Sequence, residues 1–372
     1  MSFARLILDT LRLRDPDPPV DLAARWSAVP ERASTAIAAL ADYERAAVWL
    51  LRRLGDRGAL ATAPGPLVSE LRRLANRDAV MGMRVDAQAE AVLARLVTWA
   101  VPFVLLKGTA RRAAAALYPY ADARATIDVD VLVPEAQAQS LHERLRREGY
   151  EYAAPPEATP QGLYHLRPLT LGGEPTIEVH TSTSLVVPAA EAWRRANDAA
   201  TDLTWRGYAV RVPCATELLW HALTHALHHG PRGFGLRYFL DAAVILASGR
   251  EIRWPTIVER LSGPEVPDRT LALRWLHGAA ELAGSALPPM GGTVPESPVR
   301  HALAWRLAVF GRPVRYEPWR EKLLDEGTRA QLGTELAPLV ATRSIAVQAR
   351  RRLATLAARG AYHVWRVTSA AR

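Results

Sequence analysis

Residues 127–133 alternate apolar and acidic side chains before closing on an apolar run, reading Ile-Asp-Val-Asp-Val-Leu-Val. Strict alternation of this kind predicts a β-strand with one buried face, because successive side chains of a strand point to opposite sides. Asp128 and Asp130 then share one face, opposite the isoleucine and the valines. Their Cα atoms should lie about 6.6 Å apart, close enough for both carboxylates to hold the same cation.

Glu178 stands in a second alternating segment, Thr-Ile-Glu-Val-His at 176–180. Its apolar neighbours are expected to point into the core, which leaves Glu178 and His180 on the outward face. If this strand lies beside the first, three carboxylates converge on one polar patch, namely Asp128, Asp130 and Glu178. Clustered carboxylate oxygens favour Mg²⁺ or Mn²⁺ over zinc, and such clusters commonly serve phosphoryl transfer.

Lys107, Gly108 and Thr109 follow a short apolar run at 101–106 that predicts a buried strand. A glycine between a strand and a helix lets the backbone approach a phosphate closely, and the helix N-terminus offers unpaired N–H groups. Thr109 could add a hydroxyl and Lys107 a positive charge. Lys107 is one of only two lysines in the chain, the other being Lys322.

Helical patterns flank this central region on both sides. Before it, apolar residues at three- and four-residue intervals predict helices over 31–54 and 67–99. Within it, a helix over 135–148 and hairpins turning at 172–174 and 206–207 are predicted. After it, the predicted helices are 216–229, 235–248, 254–262, 267–283 and 298–310. The sequence therefore predicts an α+β fold, with an N-terminal helical region at 1–99, a small mixed-sheet α/β core at 100–212, a C-terminal helical region at 213–335 and a basic amphipathic helix at 336–372.

The order of these motifs resembles the polymerase-β-like nucleotidyltransferase superfamily, in which a Gly-Ser or Gly-Thr helix start precedes an Asp-x-Asp strand and a third carboxylate. A closer resemblance is to a bacterial nucleotidyltransferase family whose pattern runs LKG, LYP, R, DxDLLV and ExH. Its counterparts here are Leu-Leu-Lys-Gly-Thr-Ala at 105–110, Leu-Tyr-Pro at 117–119, Arg124, the Asp-Val-Asp strand and Ile-Glu-Val-His at 177–180.

This resemblance implies an enzyme that transfers a nucleoside monophosphate from a nucleoside triphosphate (NTP) to an acceptor and releases pyrophosphate. It implies Asp128, Asp130 and Glu178 as catalytic ligands of Mg²⁺ or Mn²⁺, with Glu178 completing the metal site or helping to deprotonate the acceptor. The implied nucleotide-binding residues are Lys107, Gly108, Thr109 and Arg124. ATP is the expected co-substrate, and a small metabolite or a modified peptide is the favoured acceptor.

Two features depart from the superfamily pattern. Thr109 replaces the more usual Ser or Gly and keeps a hydroxyl, and the interval from Thr109 to Asp128 is longer, which the Tyr-Pro loop would explain. Two other functions fit the same motifs. One is a toxin-like transferase acting on tRNA, and the other is a catalytically inactive module of the same fold that binds a nucleotide or a partner.

Four of the ten histidines fall on the predicted helix 216–229, namely His221, His225, His228 and His229. Histidines at i and i+4 can bind a transition metal, but no HExxH pattern supports zinc hydrolysis. Lining of a cleft or a structural role therefore ranks above a histidine-based zinc site. The candidate cleft residues are His180, His225, Arg237 and Asp241, and the last two could instead form an exposed i,i+4 ion pair.

The formal net charge of +9 is concentrated at one end of the chain. After Glu335 the sequence holds seven arginines and no acid, which leaves the preceding residues almost balanced. The high charge is therefore no general indication of nucleic-acid binding. For the amphipathic helix at 336–372 we prefer docking on the protein body over a surface for RNA or an acidic partner and over a membrane-surface helix.

Composition excludes several classes of protein. The single cysteine, Cys214, rules out a disulfide framework and a cysteine-built zinc site. No uncharged apolar run reaches the roughly 18 residues that span a bilayer, and the first residues carry charges where a signal peptide is apolar. We therefore expect a cytoplasmic protein without a transmembrane segment.

Overall fold

The structure is a computed structural model that describes residues 2–14, 20–114, 123, 126–153, 164–229, 234–290, 299–300, 303 and 306–307. Several sequence predictions fall outside these residues. They concern Arg124, the Tyr-Pro loop at 117–119, most of the helix at 298–310 and the basic helix at 336–372. In the described part of the chain, no helix combines the length and the apolar character needed to cross a membrane.

The N-terminal part is helical, as the residue pattern predicts. Its helices are α1 (Phe3–Leu11), α2 (Leu22–Ser27), α3 (Ser34–Tyr43), α4 (Ala47–Asp56) and α5 (Gly65–Thr98), with a 3-10 turn at Glu31–Ala33. Proline at the start of α5 suits the first helical turn, where a backbone N–H has no intrahelical partner. The apolar side of α5, including Leu67, Leu71 and Leu74, is buried, and α5 packs on α3 and α4.

A five-stranded mixed sheet follows, with the strand order β1-β2-β5-β4-β3. Its strands are β1 (Val104–Leu105), β2 (Asp128–Leu132), β3 (Glu151–Tyr152), β4 (Leu169–Thr170) and β5 (Thr176–His180). β2 and β5 run parallel with Asp130 opposite Glu178, and the other neighbouring pairs are antiparallel. The two strands that carry the acids are therefore direct neighbours at the centre of the sheet.

Three helices and a second, two-stranded sheet complete this region. The helices are α6 (Lys107–Ala113), α7 (Glu135–Arg147) and α8 (Ala189–Asp198), and the second sheet pairs β6 (Thr201–Trp205) with β7 (Tyr208–Val212). Turns at Gly172, Gly173 and Gly207 have positive φ, as the two predicted hairpins require. The mixture of helices with a mixed sheet confirms the predicted α+β class.

Four further helices return the chain to helical structure. They are α9 (Ala215–His228), α10 (Leu236–Ala247), α11 (Trp254–Arg260) and α12 (Arg269–Ala283). Phe239 of α10 stacks on Trp275 of α12, with ring centroids 5.5 Å apart. Helix α9 contacts both α10 and α6, and α6 in turn contacts the acidic strand β2.

The predicted exposure of the two acidic strands is wrong in part. Asp130 and His180 were expected on an outward face, but both are 0 % exposed, whereas Ile127 precedes β2 and is 53 % exposed. The reason is that β2 and β5 are adjacent parallel strands in the middle of the sheet, and such strands are commonly covered on both faces. β2 contacts α5 and α6, and Tyr164 stacks on the ring of His180.

Candidate active site

Lys107 lies where β1 passes into α6, and its side chain turns back onto the sheet. Its ammonium Nζ is 2.7 Å from Asp130 Oδ1 and donates a hydrogen bond of 3.0 Å to Glu178 Oε2. Burial favours the neutral amine, but the charges of Asp130 and Glu178 outweigh it and hold the pKa of Lys107 above its ordinary value. A charged ammonium therefore bridges the two central carboxylates.

Asp130, Glu178 and His180 form one compact cluster of potential ligands, with one ligand atom from each lying within 4.8 Å of the others. His180 Nε2 lies 2.9 Å from Asp130 Oδ1 and 3.3 Å from Glu178 Oε2. Burial raises the pKa of Glu178, but the hydrogen bond with His180 and the charge of Lys107 lower it well below its usual range. Both partners thus hold Glu178 in its ionised form.

Asp128 lies at the start of β2, half-buried, and accepts a hydrogen bond of 3.0 Å from Thr126 Oγ1. Burial and the neighbouring charge of Asp130 raise the pKa of Asp128 to about 6. The sequence predicted a cluster of Asp128, Asp130 and Glu178. Among the described residues, the compact cluster consists of Asp130, Glu178 and His180 instead.

The residues present fit a divalent cation, which the fold family implies. Asp130 Oδ2 is buried and has no hydrogen-bond partner among the described residues, so one carboxylate oxygen is free for a ligand. Two carboxylates and an imidazole are suitable donors for such an ion, and Asp128 is a further oxygen ligand beside them.

The side chain of Thr109 is buried within the fold and is not exposed to a ligand. Its side chain is fully buried, and its hydroxyl accepts a 3.1 Å hydrogen bond from the backbone N–H of Asp130. The same hydroxyl lies 3.4 Å from the carbonyl oxygen of Asp128, to which it donates. Thr109 therefore ties α6 to β2, and its hydroxyl is already used within the protein.

Gly108 is required by a close contact with Thr126. A Cβ added at Gly108 would lie 2.3 Å from Thr126 Oγ1 and 2.7 Å from its Cβ, far inside van der Waals contact. Because Thr126 also holds Asp128, any displacement of Thr126 disturbs that carboxylate.

We therefore expect Gly108→Ala to lower the free energy of unfolding by about 1–3 kcal/mol, the usual cost of overpacking. Urea unfolding monitored by circular dichroism measures this change. Gly55→Ala is the matched control, because Gly55 also lies in a helix and nothing stands within 4 Å of its added Cβ. A Gly108→Ala protein as stable as the control would contradict the close contact with Thr126.

A cavity of about 330 Å³ opens beside these residues. Its lining residues are Arg45, Lys107, Gly108, Thr126, Ile127, Asp128, Tyr164, His165, Glu178, His225, His229 and Arg237. Among the residues predicted from the sequence, Asp130, Thr109 and His180 lie buried and do not line the cavity, and Arg124 lies outside the described residues. Asp241 is also buried and pairs with Arg111 at 3.2 Å, so an exposed Arg237–Asp241 pair is wrong.

The histidines of α9 have different surroundings. His225 and His229 line the cavity with their Nε2 atoms 3.0 Å apart, and the ring of His228 meets Tyr164 edge-on. Burial lowers the pKa of His221 and of His225 well below the ordinary value, so both are neutral near pH 7. In the described part of the chain these four histidines do not form a group of three or more potential metal ligands.

The sequence reasoning missed several lining residues, among them Arg45, Tyr164 and His165. Tyr164 and His165 precede β4, and His165 forms an isolated bridge with His180. Their position in the predicted hairpin next to the Glu178 strand was a usable signal. Arg45 lies between two helices, far from every motif in the sequence, and carried none.

Comparison with known proteins gives one match. The model of a family described as "Uncharacterised nucleotidyltransferase" matches residues 30–280. No curated protein and no solved structure matches the chain. The matched span is well over half of the chain and includes the acidic cluster, the cavity and the helices that enclose it. The chain therefore belongs to this nucleotidyltransferase family and is an NTP-dependent nucleotidyltransferase.

Proposed function

We propose that the protein uses Mg²⁺ to transfer a nucleoside monophosphate, with ATP as the donor, to a small metabolite or a modified peptide. The observation that carries this proposal is the pairing of Asp130 with Glu178 across parallel strands, beside a cavity of about 330 Å³ that Asp128 also lines. Carboxylates of β2 and β5 thus lie beside a cavity whose size is compatible with a nucleotide.

The proposed ligands of the cation are Asp128, Asp130 and Glu178. The buried Oδ2 of Asp130 accepts no hydrogen bond from the described residues and can bind the cation. When bound, the cation supplies positive charge to the phosphate oxygens and makes the acceptor hydroxyl more acidic. His180 contacts both Asp130 and Glu178 and orients these carboxylates. Mn²⁺ suits the same donors, and the imidazole of His180 is compatible with it.

In the proposed reaction an acceptor oxygen bonds to the α-phosphorus while the bond from that phosphorus to the bridging oxygen breaks. Pyrophosphate leaves with the electron pair. Asp128 and Glu178 both line the cavity, and their carboxylates are the proposed acceptors of the proton that the attacking hydroxyl loses. The rings of His225 and His229 line the cavity and are suited to contact a base or a sugar, and burial keeps His225 neutral by lowering its pKa.

One observation favours a second candidate, a catalytically inactive nucleotide-binding module. The ammonium of Lys107 lies between Asp130 and Glu178, where it offsets one of the two negative charges that would attract a cation. The tRNA alternative depends on the basic segment 336–372, which lies outside the described residues.

Incubation with Mg²⁺, cell extract and each labelled NTP tests the proposal. We expect one extract component to gain the mass of a nucleoside monophosphate, with stoichiometric pyrophosphate release that EDTA abolishes. NTP binding without transfer to any component would favour the inactive module. Zinc in metal analysis of the purified protein, with no NTP binding, would contradict both.

A further inference from the structure

Two arginines of the cavity lining have no carboxylate partner in the part of the chain that the structure describes. Arg45 lies between α3 and α4, and Arg237 is the second residue of α10. Within the described residues neither forms an ion pair; the guanidinium of Arg237 donates to the Tyr238 hydroxyl at 2.6 Å and lies over its ring. Lys107, the third cation of the lining, is neutralised by two carboxylates. Among the described residues, Arg45 and Arg237 are therefore the two lining cations that no carboxylate contacts directly.

A buried contact joins the two segments that carry these arginines. Glu44, the neighbour of Arg45, is 3 % exposed and accepts a 2.6 Å hydrogen bond from the backbone N–H of Leu236. Its other carboxylate oxygen pairs with the buried Arg306. Glu44 thereby joins the end of α3 to the start of α10, and the residues that follow Glu44 and Leu236 are Arg45 and Arg237. The pair is built into the fold rather than placed on a free surface.

The backbone of Arg45 is left-handed, with φ of 53°. Its N–H donates to the Asp42 carbonyl at 3.0 Å, and the Ala46 N–H donates to the Ala41 carbonyl at 2.8 Å, as at helix ends where glycine is the usual residue. Strain of this kind persists mostly at functional sites. Two of the four left-handed non-glycine residues in the described chain, Arg45 and Lys107, line this cavity.

Arg206 is the informative comparison. It has the same left-handed conformation, with φ of 52°, but its guanidinium pairs with Asp86 at 2.7 Å. Among the described residues, the strained arginine outside the cavity thus has an anionic partner, and the one inside has none. A ligand with negative charge would give Arg45 the partner that it lacks.

We infer that Arg45 and Arg237 bind the β- and γ-phosphates of the NTP, the portion that leaves as pyrophosphate. This inference rests on the proposed function and adds a specificity for triphosphates over monophosphates. Guanidinium groups bind phosphate oxygens through charge-assisted hydrogen bonds, often two at once. Because the two arginines come from the helices before and after the sheet, the bound triphosphate contacts both helical regions.

The inference is tested by calorimetric titration of the wild-type protein and of the variant Arg45→Gly. Each is titrated with Mg²⁺ plus ATP, AMP or inorganic pyrophosphate, without acceptor. Glycine removes the guanidinium and relieves the left-handed strain, so the thermal midpoint should stay constant or rise. ATP and pyrophosphate affinity should fall at least about tenfold, the effect of losing charge-assisted hydrogen bonds, while AMP affinity is unchanged. Arg237→Ala should show the same loss for ATP.

Arg206→Gly is the matched control and should bind ATP as the wild type does. Equal ATP affinity in the wild type and Arg45→Gly, or an equal loss for AMP and ATP, would overturn the inference while leaving the proposed transfer intact. Failure of the wild-type protein to bind any NTP would overturn both. Reduced ATP affinity with a lowered thermal midpoint in Arg45→Gly would also count against it, because that combination indicates a structural role.

Discussion

Asp128→Asn is expected to lower the rate of nucleotide transfer at least about 1,000-fold, since a cation site contributes several kcal/mol to the transition state. Asparagine keeps the shape of the side chain and can still meet Thr126, so the fold should persist. The amide of asparagine is neutral, so it neither attracts the cation nor accepts a proton as a carboxylate does. Pyrophosphate release measured at saturating ATP and Mg²⁺ gives the rate.

Asp202→Asn provides the control for this experiment. Asp202 also lies on a strand, but its side chain is 82 % exposed, it pairs with Arg211 and it does not line the cavity. Both variants should show thermal midpoints close to that of the wild type, and only Asp128→Asn should lose activity. Transfer at the wild-type rate in Asp128→Asn would remove Asp128 from the proposed chemistry and leave the cluster of Asp130, Glu178 and His180 as the metal site.

Lys107→Met is expected to lower the free energy of unfolding by about 3–5 kcal/mol, the effect of breaking a buried ion pair by removing one partner. Methionine fills a similar volume, so the loss reports the removal of the ammonium from Asp130 and Glu178 rather than a cavity. Urea unfolding in the presence of EDTA measures the change. Added MgCl₂ should recover part of it, because a bound cation stabilises the folded state.

Arg84→Met is the matched control for Lys107→Met. Arg84 pairs with Glu174 at 3.2 Å, but both side chains are more than 40 % exposed, and exposed pairs contribute at most about 1 kcal/mol. If Lys107→Met is destabilised no more than this control, the ammonium does not hold the two carboxylates together.

The sequence allowed the acidic strands to be predicted because their alternation is a local property. Segments 127–133 and 176–180 each alternate, and the hydrogen-bonded strands β2 and β5 fall within them. Strand alternation indicates which side chains share a face, but it does not indicate what covers that face. The burial of Asp130 and His180 depends on Lys107 and Tyr164, which come from other parts of the chain.

The use of individual side chains was harder to predict than their position. Thr109 was expected at a triphosphate, yet its hydroxyl bonds to the backbone of β2, because a buried hydroxyl needs a partner within the fold. Arg45 was not found, because its role depends on a buried contact between Glu44 and Leu236 that spans almost 200 residues. Long-range contacts of this kind leave no periodicity in the sequence.

The ammonium of Lys107, which bridges Asp130 and Glu178, also means that folding need not depend on a bound cation. In small metal-dependent domains the ligands repel one another until an ion arrives, so the chain stays unfolded without it. Here the chain carries its own counter-charge, because the ammonium of Lys107 at the start of α6 reduces the repulsion between Asp130 of β2 and Glu178 of β5. If the protein uses a cation as proposed, we expect a newly made chain to reach its native state in a chelating environment and to bind that cation afterwards.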